Sequence, residues 1–207
     1  MTDIINMYFY YITKSDIIQV VRRVNMIICI CGKSGSGKST ISNYLVKELN
    51  AIHIDIDKIG HNSHNDIQVK NNLINTFGIN ILTNGNIDRK KLGKIVFSSE
   101  HEMKKLEDIT WNYMEKEIDK IIEKNKDKII VLDWLLLPKT KYMKLSNLKI
   151  LIDVPYEIRK QRILKRDNIT EASFDLREQA SITYDNDDFD YVFNTNDTEN
   201  IRKLVKL

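Results

Sequence analysis

The amino-acid sequence predicts an α/β protein: a three-layer fold in which a five-stranded parallel sheet is flanked by helices and carries a helical insertion and a lid. Three observations support this. From residue 26 onward, short β-branched runs alternate with longer stretches of helical period, the pattern of successive strand–helix–strand units. A loop rich in Gly, Ser and Lys joins the first run to the first helical stretch. The stretch 61–126 is too long for a simple crossover.

Taken in order, residues 1–25 precede the first strand and contain Arg22 and Arg23 but no nameable motif; an extra helix is one expectation, a natural start at Met26 the other. Strands are expected at 26–31, 51–56, 128–134, 148–153 and 191–194, because these segments are short runs of β-branched, leucine and aromatic residues. In the long stretch 61–126, Asn84-Gly85 marks a turn and Asp88 a helix cap before Arg89. Met103, Leu106, Ile109, Tyr113, Ile118 and Ile121 keep a helical spacing through charged residues, which predicts a long surface helix. The whole of 61–126 reads as a helical insertion that forms the acceptor pocket.

Length and composition bound the function. The 207 residues suit one catalytic domain with an appended subdomain. With 32 Lys and Arg against 29 Asp and Glu, the net charge of +3 leaves no general nucleic-acid footprint, and a small anionic substrate fits better. A 42% hydrophobic content with clear periods argues for folding rather than disorder. No apolar run approaches the length of a membrane span, because Asp133 interrupts 129–137. The start lacks the basic region of a signal peptide. The two cysteines, Cys29 and Cys31, lie two apart in an apolar strand and so share a face, as small core residues. Together these features predict a cytoplasmic chain with no membrane partner.

The loop is Gly32-Lys33-Ser34-Gly35-Ser36-Gly37-Lys38-Ser39-Thr40, which satisfies G-x-x-x-x-G-K-[ST] between an apolar strand and an amphipathic helix. Three of the chain's seven glycines, Gly32, Gly35 and Gly37, sit here. The chemistry requires them: backbone N–H groups must curl inward onto phosphate oxygens, and a Cβ would obstruct the approach. Ser36 and Thr40 complete the cradle. Lys38 is expected to reach the β and γ phosphates of ATP, and the Ser39 hydroxyl to ligate Mg²⁺. A guanine-recognition signature is lacking, since Asn125-Lys126-Asp127 is followed by Lys128, and so is the LSGGQ signature of ABC ATPases. The fold is therefore expected to be of the P-loop kinase type, acting on a small molecule.

On the acceptor side, Asp55 and Asp57 alternate with Ile54 and Ile56, which predicts both carboxylates on one strand face near its carboxyl end. Asp57 is the candidate to orient and deprotonate an acceptor hydroxyl, with a helix cap or solvated carboxylate as the equal alternative. Asp133 ends an apolar run and is a candidate to hold Mg²⁺ through water; a buried hydrogen-bonding role stands beside it. His61 and His64 have no third ligand in view and read as surface histidines rather than a metal pair. Arg162 and Arg166, four apart, share a helical face and are expected to close over ATP as part of a lid.

The order of these motifs from residue 26 toward the C-terminus resembles the dephospho-CoA kinase family. The similar segments are the phosphate loop and Ile54-Asp55-Ile56-Asp57-Lys58-Ile59-Gly60-His61, then Phe77-Gly78, Asn84-Gly85 and Ile87-Asp88-Arg89-Lys90-Lys91-Leu92. Ile95-Val96-Phe97, Leu106-Glu107, Gln161-Arg162 through Arg166, Gln179 and Asp190-Tyr191-Val192-Phe193 follow. The resemblance implies transfer of the ATP γ-phosphoryl group to the 3′-hydroxyl of dephospho-CoA, with Mg²⁺, as the last step of coenzyme A synthesis. It also implies that Asp57 is the catalytic aspartate, that 61–126 binds the acceptor and that 156–185 is the lid of a domain spanning 26–207. Three segments depart from the family pattern: Trp111-Asn112 replaces His-Pro, Leu135-Leu136-Leu137-Pro138-Lys139 replaces Pro-Leu-Leu-Phe-Glu, and Thr195-Asn196-Asp197 replaces Asn-x-Gly. Another nucleoside or nucleotide kinase, or a nucleotide-binding regulator without turnover, are the competing readings.

Overall fold

The computed structural model describes residues 26–179 and 181–193. The extension 1–25, Asn194 and the Thr195-Asn196-Asp197 segment lie outside the described residues. The chain divides into two compact units, one comprising the stretch up to His53, Asn125–Pro155 and the stretch from Asp185, the other Ile54–Lys124 and Tyr156–Tyr184.

The first unit is built on a parallel sheet. Its strands are β1 (Ile27–Cys31), β2 (Ile52–Asp55, of which the last two residues belong to the second unit), β5 (Ile130–Asp133), β6 (Leu148–Ile152) and β7 (Tyr191–Phe193), in the order β2-β5-β1-β6-β7. The central strand β1 pairs Ile28 with Val131 on one side and Ile30 with Ile150 on the other. Being central, β1 is covered on both faces, which is why its sequence reads as a continuous apolar run. Ile28 and Ile30 join Ile41 and Leu45 of helix α1 (Lys38–Leu49) in one core, with Val131, Ile150 and Ile152. Cys29, pointing the other way, meets helix α6 (Lys141–Leu145), where its Sγ lies 3.7 Å from the Tyr142 carbonyl. Both cysteines are free and buried, and burial pushes the Cys29 thiol up to about 12.

The second unit is helical: α2 (Ile56–Ser63), α3 (Ile67–Phe77), α4 (Arg89–Val96), α5 (Glu100–Lys124), α7 (Tyr156–Asp167) and α8 (Glu171–Gln179). Helices α2, α3 and α4 pack on α5. Helices α3 and α4 share a core of Val69, Leu73, Leu92 and Val96, with Ile81 from the segment between them, against Met103, Leu106, Ile109 and Tyr113 of α5. Four residues of the helical spacing read from the sequence, Met103, Leu106, Ile109 and Tyr113, thus face this core. Helix α5 runs unbroken through Trp111-Asn112, as it can with a full set of backbone N–H donors and no proline ring.

Between α3 and α4 lies a hairpin, β3 (Leu82–Thr83) and β4 (Asn86–Ile87). Its two-residue turn is Asn84-Gly85, with φ of 50° and 76°, the positive pair that a tight hairpin requires. Asp88 then caps α4, accepting from the backbone N–H groups of Lys90 and Lys91. Helix α7 and helix α8 form a second hairpin of charged helices, described below.

One expectation is corrected. Residues 51–56 do not form a strand that carries both aspartates on one face. The strand stops at Asp55, whose carboxylate accepts from the Lys58 backbone N–H and starts α2, so Asp57 lies in the first helical turn. An Asp whose side chain can cap favours this early strand-to-helix switch over continued alternation.

Candidate active site

The phosphate loop leaves β1 at its carboxyl end, at the centre of the sheet, where strand order reverses and open α/β proteins bind ligands. Its backbone is folded tightly: the Ser36 N–H donates to the Lys33 carbonyl at 3.1 Å, and the Thr40 N–H to that of Gly37 at 3.0 Å. Gly32 has φ of 148°, and a Cβ there would lie 2.5 Å from the Ile152 carbonyl oxygen and 2.7 Å from Ser36 Oγ. Gly37 precedes α1 at φ of 95°, with no side-chain cap on the helix. The first turn of α1 also lacks an acidic residue. The helix therefore presents uncapped backbone donors and the positive end of its dipole to an incoming anion.

Lys38 is the first residue of α1 and is buried, while Ser39 and Thr40 are exposed. Ser36 Oγ is buried with no hydrogen-bond partner among the described residues. An orphaned hydroxyl beside a glycine with no room for a Cβ is the kind of defect a phosphate oxygen removes.

Asp133 closes β5 and is buried. It accepts a hydrogen bond from Ser42 Oγ at 2.9 Å, and His53 Nε2 stands 3.7 Å from the same oxygen. Ser42 lies one turn beyond Lys38 on α1, so the helix that begins in the phosphate loop is tied to the end of β5. Of the two readings open for Asp133 at the level of sequence, the buried hydrogen-bonding one is what these contacts display: one carboxylate oxygen is engaged in the core at the strand end. Ser42 and His53 are partners that motif reading missed; the spacing of four from Lys38 was the signal for Ser42.

In the second unit, Asp57 is exposed in the first turn of α2. Arg162 and Arg166 both lie on α7, with Arg162 half-buried and Arg166 exposed. Arg166 is held more firmly cationic, first by its hydrogen bond to Asp167 and in smaller part by the Asp57 carboxylate. The structure therefore brings Arg166 into electrostatic range of Asp57 within this unit. Asp167 accepts from Arg166 Nε at 2.7 Å and from Arg177 at 3.0 Å, and these bonds, that of Arg166 first, hold its carboxyl below the usual carboxylate range.

The α7–α8 hairpin is joined by several further pairs. Arg159 meets Glu178 through two hydrogen bonds of 2.8 Å, Lys160 meets Glu171 at 2.7 Å, and Tyr156 donates to Asp175. Phe174 is buried against Tyr156, with ring centroids 5.5 Å apart. Such a fork-to-fork Arg–carboxylate pair, backed by an aromatic contact, fixes the register of the two helices.

A five-stranded parallel sheet with a phosphate loop after its central strand defines a P-loop kinase. A family model described as dephospho-CoA kinase matches residues 26–198. The chain is 37% identical over 185 residues to a dephospho-CoA kinase of Aquifex aeolicus, spanning 86% of this chain and 93% of that protein. A crystal structure from Thermus thermophilus superposes with a TM-score of 0.73 at 22% identity, over 89% of this chain and 96% of that one, and shares the fold. The dephospho-CoA kinase structure from Campylobacter jejuni gives 0.55 at 25% identity, over 89% and 95%. The chain belongs to the dephospho-CoA kinase family, and it is a kinase.

Proposed function

We propose that this enzyme transfers the γ-phosphoryl group of ATP to the 3′-hydroxyl of dephospho-CoA, giving coenzyme A and ADP in the cytoplasm. The observation that carries the reading is the phosphate cradle on the central strand, in a chain whose family is defined by this reaction. Gly32, Gly35, Ser36, Gly37 and Thr40 supply the loop that receives the ATP phosphates. Lys38 follows the β and γ phosphates as charge moves between them.

The residues present fit Mg²⁺. The Ser39 hydroxyl and the Asp133 carboxylate are hard oxygen donors, the type this ion prefers, and phosphate oxygens and water complete such a shell. Among the described residues no group of three or more His, Cys, Asp and Glu could hold a metal, as suits an ion carried largely by its nucleotide. When bound, Mg²⁺ neutralises charge on the β and γ phosphates.

Asp57 orients the acceptor hydroxyl and takes its proton as the new P–O bond forms and the bond to the ADP oxygen breaks. Arg162 and Arg166 neutralise charge on the phosphoryl group in flight. In this reading residues 61–126 hold the acceptor, and the hairpin within 156–185 is the lid.

The test is incubation of the purified chain with ATP, Mg²⁺ and dephospho-CoA beside nucleosides, nucleotides and pantetheine precursors, with products identified by mass. Coenzyme A and ADP are expected. Phosphorylation of another acceptor alone overturns the substrate assignment, and ATP binding without transfer indicates a regulator.

A further inference from the structure

Asp133 sits where the strand entering the phosphate loop and the helix leaving it converge. It is in register with Ile30 of β1, and the Trp134 N–H donates to the Ile30 carbonyl at 3.3 Å, two residues before Gly32. Ser42, one turn beyond Lys38 on α1, reaches the Asp133 carboxylate from the helix side. A third side chain arrives from the sheet edge. The Ile52 N–H donates to the Ile129 carbonyl at 2.8 Å, so β2 runs beside β5 and carries His53 to the same carboxylate. Ser42, His53 and Asp133 all belong to the first compact unit.

The donors and acceptors in this cluster do not balance. Ser42 Oγ carries one proton and stands within hydrogen-bond distance of two acceptors, the Lys38 carbonyl at 3.0 Å and Asp133 Oδ2 at 2.9 Å. Whenever that proton turns to the Lys38 carbonyl, the oxygen of a buried carboxylate loses its donor. One idle group lies beside it. His53 Nε2 is buried, has no hydrogen-bond partner among the described residues and stands 3.7 Å from the same Oδ2. That separation is about 0.8 Å beyond an ordinary N–H···O bond, a gap that a small movement of the carboxylate closes. His53 lies between Ile52 and Ile54 in β2, so a ring with a polar edge occupies a place among apolar neighbours.

We infer that His53 is a positioning residue for Asp133. With its proton on Nε2, it closes on Oδ2 when nucleotide is bound, so that Ser42 and His53 together hold this oxygen in the core and leave Oδ1 to the Mg²⁺ of the nucleotide. The inference rests on the reading of Asp133 as a Mg²⁺ ligand. A carboxylate anchored through one oxygen meets a cation already oriented, which is how hydrogen-bonded partners behind a ligand raise its affinity for metal. His53 acts only through Asp133 and touches neither nucleotide nor acceptor in this role.

The test is isothermal titration of a non-hydrolysable ATP analogue into the full chain, once in EDTA and once in saturating Mg²⁺. The ratio of the two dissociation constants reads the contribution of the cation to binding, without turnover. His53→Leu fills the space but has no donor, and is expected to lower that ratio on the order of 10-fold, the lower end of the range for a lost partner behind a metal ligand. His53→Gln keeps an N–H donor and should recover part of the loss. A wild-type ratio in His53→Leu, whether overall affinity is kept or reduced, overturns the positioning role, and so does an equal fall in the Leu and Gln variants. Asp133→Asn is titrated in parallel. A wild-type ratio there removes the parent reading of Asp133, whereas a lowered ratio there beside an unchanged His53→Leu removes only the role of His53.

Discussion

Ser42 divides a single hydroxyl proton between the Asp133 carboxylate at 2.9 Å and the Lys38 carbonyl at 3.0 Å. Both serine and aspartate are buried, so the contact ties α1 to the end of β5 at the point where the phosphate loop becomes a helix. Replacing Ser42 by Ala leaves a buried carboxylate short of a donor, which costs about 1–3 kcal/mol. Urea denaturation of Ser42→Ala should show a midpoint shift of that size with an unchanged m-value, and a smaller effect would mean that His53 or water replaces the donor.

Lys38→Ala and Asp57→Asn should separate donor from acceptor chemistry. Removing the Lys38 ammonium is expected to lower kcat by roughly 10²–10³-fold, the scale of a lost electrostatic stabiliser. Asp57→Asn keeps size and hydrogen bonding but not proton acceptance, and should slow transfer about 10²-fold or more while sparing ATP affinity. Steady-state kinetics with each substrate varied in turn reads both. An Asp57→Asn enzyme with wild-type turnover would remove that residue from the mechanism.

The Arg159–Glu178 pair should be structural. Arg159 is 5% exposed and its partner side chain 18%, so deleting the guanidinium strands a carboxylate in a poorly hydrated site. Breaking a buried pair from one side costs on the order of 3 kcal/mol, whereas Arg159→Met with Glu178→Leu, which removes both charges, should recover much of it. Thermal unfolding of the single and double variants supplies the cycle, and additive losses would show that the two residues are not coupled.

His64 makes stability depend on pH in a defined window. Its imidazole takes up a proton near 6.5 when unfolded but only near 4 in the fold, chiefly because of burial. Between those values the unfolded chain binds more protons, so stability falls as pH drops from about 6.5 toward 4 and is insensitive to this group above that range. His64→Gln should flatten the slope. Denaturation midpoints measured across the window decide it, and an unchanged slope assigns the effect elsewhere.

Much of the fold was legible because it follows from periodicity. Ile28 and Ile30 alternate with Cys29 and Cys31, and the two sets went to the two covered faces of β1. Asn84-Gly85 could adopt its paired positive φ angles with little strain, so the hairpin was local information. Asp55 was misread because alternation and capping make competing claims on the same four residues. The cap prevailed, since it satisfies a backbone donor that the strand end would leave open.

The phosphate-loop motif was likewise written in local sequence, because such a loop needs only glycines, a lysine and a hydroxyl in fixed order. Local sequence also placed Arg162 and Arg166 on one helix, but it set Asp57 on a strand face, whereas the strand ends at Asp55 and Asp57 lies in the helix that follows. It did not reveal that Ser42 and His53 converge on Asp133, or that Arg177 shares Asp167 with Arg166. Those relationships join residues distant along the chain or on different elements. Electrostatic coupling depends on separation and burial in space, and these exist only once the helices and strands have packed.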